Sequence, residues 1–173
     1  MKTLLKSETN VPWLEVDAIV ETYISDELPP MIEYTSAYAI VFNDNGKLLQ
    51  TDLRKGERPE RQLDIPGGHI DGKETSEQTA IRETFEETGV IIKSLQLVAH
   101  VKITIISPKP DNYRYPYPVS YMLFYRSEAF EETEFNGNDE VHGRVWLSEC
   151  EFEKSDWCNN NKELLAAIME DDL

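Results

Sequence analysis

Between Thr75 and Gly89 the chain carries both end signals of a helix. Thr75 and Gln78 are spaced as a capping box, in which each side chain answers a backbone N–H that the first turn leaves free, and Gly89 can adopt the left-handed conformation that stops a helix. The spacing predicts a helix from about Ser76 to Thr88. Projected at roughly 100° per residue, Ile81 and Phe85 fall together, flanked by Ala80, Thr84 and Thr88, which predicts the packing side. Glu83, Glu86 and Glu87 fall opposite, within about one turn. Like charges at these spacings destabilise a helix by roughly 0.2–0.5 kcal/mol per pair, so the cluster invites a compensating cation. Hard carboxylate oxygens select magnesium, calcium or manganese. Taken alone, the helix reads more readily as a solvated acidic face.

The residues upstream bear on that choice. Gly67-Gly68 lets the backbone come close to a ligand and turn a carbonyl toward a metal. Glu74, just before the helix, can join the carboxylates, and Arg82 is spaced to hold and orient Glu86 at i+4.

Strand signals surround this helix. Tyr34 to Phe42 is β-prone, and Asn43-Asp44-Asn45-Gly46 leads into Lys47 to Thr51 as a hairpin turn. A calcium loop ending its acidic half at Gly46 would need Asp where Val41 stands. A basic loop with Arg54, Lys55, Arg58 and Arg61 follows, then an extended piece Leu63-Asp64-Ile65 and a turn at Pro66-Gly67-Gly68. Residues 90–106 predict one or two strands, 117–125 and 141–147 one each, and 162–169 a closing helix. Strands on both sides of a central helix predict an α/β fold of α+β type, an α/β/α sandwich with a mixed central sheet spanning residues 34–173. Residues 1–33 carry apolar positions at loosely helical spacing before Pro29-Pro30, which predicts a helical or extended arm. Two roles stay open for it: packing on the domain, or an oligomer contact such as a homodimer.

Composition narrows the function classes. A chain of 173 residues with 40% apolar content fits one domain with one core and a short appendage. With 33 acidic against 17 basic residues the formal charge is −16, which argues against a surface for polymeric nucleic acid. A small phosphorylated substrate then needs bound cations or a local basic cluster to enter. No run approaches the roughly 18 apolar residues of a membrane helix, and the first residues lack a secretory pattern, so a cytoplasmic protein is expected. Cys150 and Cys158 lack metal-ligand spacing and read as reduced, incidental thiols.

Gly68-His69-Ile70-Asp71-Gly72-Lys73-Glu74, seven further residues, and Arg82-Glu83-Thr84-Phe85-Glu86-Glu87-Thr88-Gly89-Val90 resemble the Nudix box, G-x5-E-x7-R-E-U-x-E-E-x-G-U with U apolar. The one departure is Thr84, where an aliphatic residue is usual, and it touches local packing more than chemistry. The resemblance implies a hydrolase that cuts a phosphoanhydride bond in a nucleoside diphosphate linked to another moiety, with a nucleoside triphosphate preferred. It implies magnesium, or manganese, held by Glu83, Glu86 and Glu87 with help from the Gly68 carbonyl, and Glu83 or Glu140 as the catalytic base. Arg82 and Glu74 would orient these carboxylates. A catalytically silent Nudix domain that binds a nucleotide as a sensor or partner module is the alternative, against which the intact carboxylate set argues.

Outside the box, Arg54, Lys55, Arg58 and Arg61 are either the source of positive charge for substrate phosphates, Arg54 first, or a solvated loop with no such role. His69 reads as a loop residue, His100 and His142 as structural, and Trp146 as core. Asn112 to Pro118 combines three tyrosines with two prolines. Such a stiff aromatic loop is either a packed surface turn or a stacking platform for a base.

Overall fold

A computed structural model describes residues 2–29, 34–53 and 62–170. The strands are β1 (Thr3–Thr9), β2 (Ala18–Ile24), β3 (Tyr34–Phe42), β4 (Leu48–Asp52), β5 (Leu63–Asp64), β6 (Gly67–His69), β7 (Val90–Ile105), β8 (Val119–Glu132) and β9 (Gly143–Leu147). The helices are α1 (Ser76–Thr88), α2 (Asp156–Asn160) and α3 (Lys162–Glu170), with a 3-10 turn at Glu149–Lys154 before α2. The strands join in the order β1-β2-β7-β8-β3-β4-β5, while β6 pairs with β3 and β9 with β4. The β3–β8 pair is parallel and its neighbours are antiparallel, which makes the sheet mixed.

Strand β3 shows how the layers arise. Its side chains alternate, so Ala37, Ala39 and Val41 pack with Ala80 of α1, while Ile40 packs on the other face with Leu164, Leu165 and Ile168 of α3. One helix therefore covers each face, and the α/β/α sandwich expected from the sequence is the fold observed. The hairpin turn is also as expected: Asn43 Oδ1 accepts from the backbone N–H groups of Asn45 and Lys47, each at 3.0 Å, and Gly46 has φ +69°.

Three expectations need correction. Residues 1–33 supply no helix among the described residues; β1 and β2 pair with each other, and β2 pairs with β7 from Ala18↔Ile105 to Ile24↔Ala99. The decisive pattern there is period two, with Ala18 and Val20 buried in the core beside Val101 and Ile103. Gly67-Gly68 is a short strand instead of a free turn, because it pairs with Ala37 and Tyr38 of β3. A Cβ at Gly67 would strike the Tyr38 ring and the Ala37 carbonyl, so only glycine permits this approach. Helix α1 itself begins and ends as expected, with both halves of the Thr75–Gln78 capping box formed and Gly89 left-handed. Its buried side, however, is Ser76, Thr79, Ala80, Thr84 and Thr88, while Ile81 and Phe85 are 44% and 47% exposed.

The two cysteines are free thiols, Cys150 exposed and Cys158 buried. No helix among the described residues is long and apolar enough to cross a membrane.

Candidate active site

Because α1 lies against β3 and β6, the glutamates on its inner side face the Gly67-Gly68 strand instead of open solvent. Arg82 organises them. Its Nε donates to Glu74 Oε1 at 2.8 Å and its Nη2 to Glu74 Oε2 at 3.0 Å, a two-pronged pair. Its Nη1 donates to Glu83 Oε1 at 2.8 Å and to Glu86 Oε2 at 3.0 Å, while Nη2 also reaches the His69 carbonyl at 3.3 Å. The guanidinium thus ties the loop, the helix cap and two helix carboxylates into one unit. Arg82 is in turn held firmly protonated by Glu74. The Arg82 hydrogen bonds, with Thr79 Oγ1 donating at 3.0 Å, lower the Glu74 carboxyl to about 2.

Glu83 and Glu87 behave in the opposite way. Burial raises the Glu83 carboxyl despite Arg82, and the charges of Glu86 and Glu140 add to the rise. Burial pushes Glu87 up to about 8, against the lowering effect of the Gly67 N–H that donates to its Oε2 at 3.1 Å; Glu83, Asp64 and Glu140 push it further. Two carboxylates that resist ionising, side by side, form a place where a cation would be stabilised.

Gly68 is part of this arrangement. A Cβ there would occupy the space of the Glu83 carboxylate, so the glycine lets that carboxylate lie against the β6 backbone. Glu140 enters from the loop before β9, fixed by its backbone N–H donating to Asn138 Oδ1 at 2.8 Å. Asn138 Nδ2 donates to the Glu86 carbonyl at 2.9 Å, anchoring the loop to the helix.

Of the site residues expected from sequence, Gly68, Glu74, Arg82, Glu83, Glu86, Glu87 and Glu140 are therefore brought to one place. Arg54, Lys55, Arg58 and Arg61 lie outside the described residues. Among the described residues no three His, Cys, Asp or Glu side chains converge at metal-ligand spacing; Arg82 takes up the facing oxygens of Glu83 and Glu86. The donor set still fits a hard divalent cation, since it consists of carboxylate oxygens packed on a glycine cradle.

Sequence reasoning missed Asn138 and Arg144. The latter donates from Nη1 to the carbonyls of Thr88 (2.6 Å) and Thr133 (3.0 Å), pinning the C-terminal end of α1. It missed Asp64 as a neighbour of Glu87 as well. No local pattern marks these residues, because their partners on and around α1 are brought to them only by tertiary packing.

Comparisons with known proteins bear on the family and the fold. A model of the NUDIX domain matches residues 34–168. Nudix hydrolase 3 of Caenorhabditis elegans is 50% identical over 41 residues, 24% of this chain and 17% of that protein. The 8-oxo-dGTP diphosphatase of Haemophilus influenzae is 27% identical over 89 residues, 51% of this chain and 57% of its own length. The chain thus spans less than two thirds of the length of each of these relatives. In fold it is similar to a Bacillus subtilis pyrophosphohydrolase, with a TM-score of 0.62 at 22% identity over 86% of this chain and 87% of that one. The match over most of its length shows that the chain belongs to the NUDIX domain family.

Proposed function

We propose that this protein hydrolyses a phosphoanhydride bond in a nucleoside diphosphate linked to another group, with a nucleoside triphosphate as the preferred substrate. The observation that carries this reading is the Arg82 guanidinium drawing Glu74, Glu83 and Glu86 together beside Gly68, with Glu87 half-buried next to them. The names of the relatives, a diphosphatase and a pyrophosphohydrolase, support the same bond class.

Glu83, Glu86 and Glu87, with the Gly68 carbonyl, would hold magnesium or manganese, which when bound supplies charge neutralisation and Lewis acidity toward the diphosphate. The protein's own residues do the remaining work. Arg82 keeps Glu86 and Glu83 from swinging away, and Glu74 keeps Arg82 in place. Glu83 or Glu140 takes the proton of the attacking water; the upward shift of Glu83 moves it toward the range in which a carboxylate is an effective base. The basic loop at Arg54, Lys55, Arg58 and Arg61 supplies binding charge that the −16 net charge otherwise denies an anion. The partner is then a small nucleotide, with no polymer and no membrane involved.

The test is incubation with magnesium and a panel of nucleoside triphosphates, ADP-ribose and dinucleoside polyphosphates, following phosphate and pyrophosphate release. Turnover that stops on adding chelator is the expected result. Nucleotide binding without turnover on any member would overturn the hydrolase in favour of a silent binding module.

A further inference from the structure

The connection between β7 and β8 folds back onto the residue that follows Gly68. There the His69 and Tyr115 rings stack, with centroids 5.4 Å apart and planes 15° from parallel. Tyr113 meets Tyr115 edge-on at 5.6 Å, and the Arg114 guanidinium lies 5.4 Å from the Tyr115 ring centre. His69, Arg114 and Tyr115, with Tyr34, Thr35, Ile70 and Pro116, line a cavity of about 380 Å³. That volume falls within the roughly 300–1,000 Å³ of small-molecule sites.

Two observations separate this cavity from an ordinary surface turn. First, it shares a residue with the carboxylate site: the His69 carbonyl accepts from Arg82 Nη2, while the His69 ring stacks in the cavity wall. A ligand in the cavity therefore sits beside the groups proposed to act on a diphosphate. Second, Arg114 has no carboxylate within ion-pair distance among the described residues, in a chain with 33 acidic residues. A guanidinium stacked on a ring keeps its in-plane N–H donors available. A phosphate would call for several converging cations, and this wall offers one cation among aromatic rings. The wall instead matches a flat heterocycle that stacks on a ring and presents acceptors at its edge.

We propose that this cavity is the nucleobase subsite of the substrate, with Tyr115 as the stacking platform and Arg114 as the donor that favours a guanine-type edge carrying two adjacent acceptors. The proposal rests on the nucleotide-hydrolase reading, and its test does not depend on turnover. Isothermal titration in chelator compares guanosine 5′-monophosphate, adenosine 5′-monophosphate and ribose 5-phosphate on the parent and on Tyr115→Leu, Tyr115→Phe and Arg114→Gln, each checked for a parent-like melt. The parent binds guanosine 5′-monophosphate at least tenfold more tightly than ribose 5-phosphate. Tyr115→Leu loses about tenfold for both nucleotides and nothing for the sugar phosphate, while Tyr115→Phe binds like the parent. Arg114→Gln loses about tenfold for the guanine nucleotide and little for the adenine one. Equal binding of base-bearing and base-free ligands by the parent would overturn the subsite. So would unchanged guanosine 5′-monophosphate affinity in both Tyr115→Leu and Arg114→Gln. Selective nucleotide binding in a protein that turns nothing over would remove the hydrolase and leave the subsite standing.

Discussion

Glu87 occupies a position where a carboxylate ionises only with help. Burial raises it to about 8 from the usual 4.5, so the folded protein holds this proton where an unfolded chain releases it. Its contribution to stability is complete below 4.5 and is lost as pH rises through about 8. Replacing it by Gln keeps the shape and removes the titration. In chelator, Glu87→Gln should melt like the parent near pH 5 and above the parent at pH 9. With saturating magnesium at pH 8 the parent should gain stability by mass action and the variant far less, with hydrolysis collapsing. Equal magnesium response in both proteins would show that Glu87 is no ligand. His100 produces the opposite slope. It is 1% exposed, stacks on Tyr23 at 5.2 Å, and its ring nitrogens have no hydrogen-bond partner among the described residues. Burial, with Lys2 nearby, lowers it to about 4 from 6.5, so its neutral form favours folding above 6.5 and that advantage is lost as pH falls through about 4. His100→Phe should flatten the fall in melting temperature between pH 7 and 4. An acid limb unchanged in the variant would assign that limb to other groups.

At the scale of the helix, the ends of α1 were legible and its buried side was not. The ends are local: a Thr side chain capping Gln78 and a left-handed Gly89 need no knowledge of the rest of the chain. The buried side is set by how closely α1 approaches Ala37 and Ala39 of β3, which favours small residues over Ile81 and Phe85. Thr84 and Thr88 tolerate burial because each hydroxyl donates to the carbonyl one turn back, so a residue that looks polar in sequence behaves as a compact filler. Thr84, the box's one departure from an aliphatic residue, therefore sits fully buried with its hydroxyl satisfied. The carboxylate constellation was legible through its motif, but the sharing of Arg82 among Glu74, Glu83 and Glu86 was not, nor was the anchoring of the Glu140 loop by Asn138, 52 residues from its acceptor. Urea melts distinguish the two sides of the helix. Phe85→Gln should change stability by no more than about 0.5 kcal/mol, as exposed positions do. Ala80→Leu, at a position with no exposure, should cost about 1–3 kcal/mol by overpacking. A larger loss for Phe85→Gln than for Ala80→Leu would mean that the apolar side is covered in solution.

For the molecule as a whole, the first strands raise the question of what the fold requires. The family match begins at residue 34, which leaves β1 and β2 outside it. Position in the sequence makes them look like an appendage, yet β2 pairs with β7 along its whole length and places Ala18 and Val20 in the core with Ala99, Val101 and Ile103. Val11, in the connection between β1 and β2, is buried in the same cluster. Removing residues 2–27 would uncover these contacts, at roughly 1.5–3 kcal/mol for each fully buried large aliphatic side chain, against a total stability of about 5–15 kcal/mol. It would also leave β7, a strand of 16 residues, with an unpaired edge on the side β2 now covers. Long open edges pair with other chains, and the −16 charge of the chain opposes that association only over screened distances at physiological salt. The truncated protein should therefore melt well below the parent and form aggregates in light scattering, although its carboxylate site, built from β6, α1 and the β9 loop, is untouched in sequence. Size-exclusion chromatography with light scattering, a thermal melt and turnover on the substrate accepted by the parent decide the matter. A monomeric truncation that melts and turns over like the parent would make β1 and β2 dispensable. Retained turnover at low temperature with lost stability would show that the strands support the core without shaping the site.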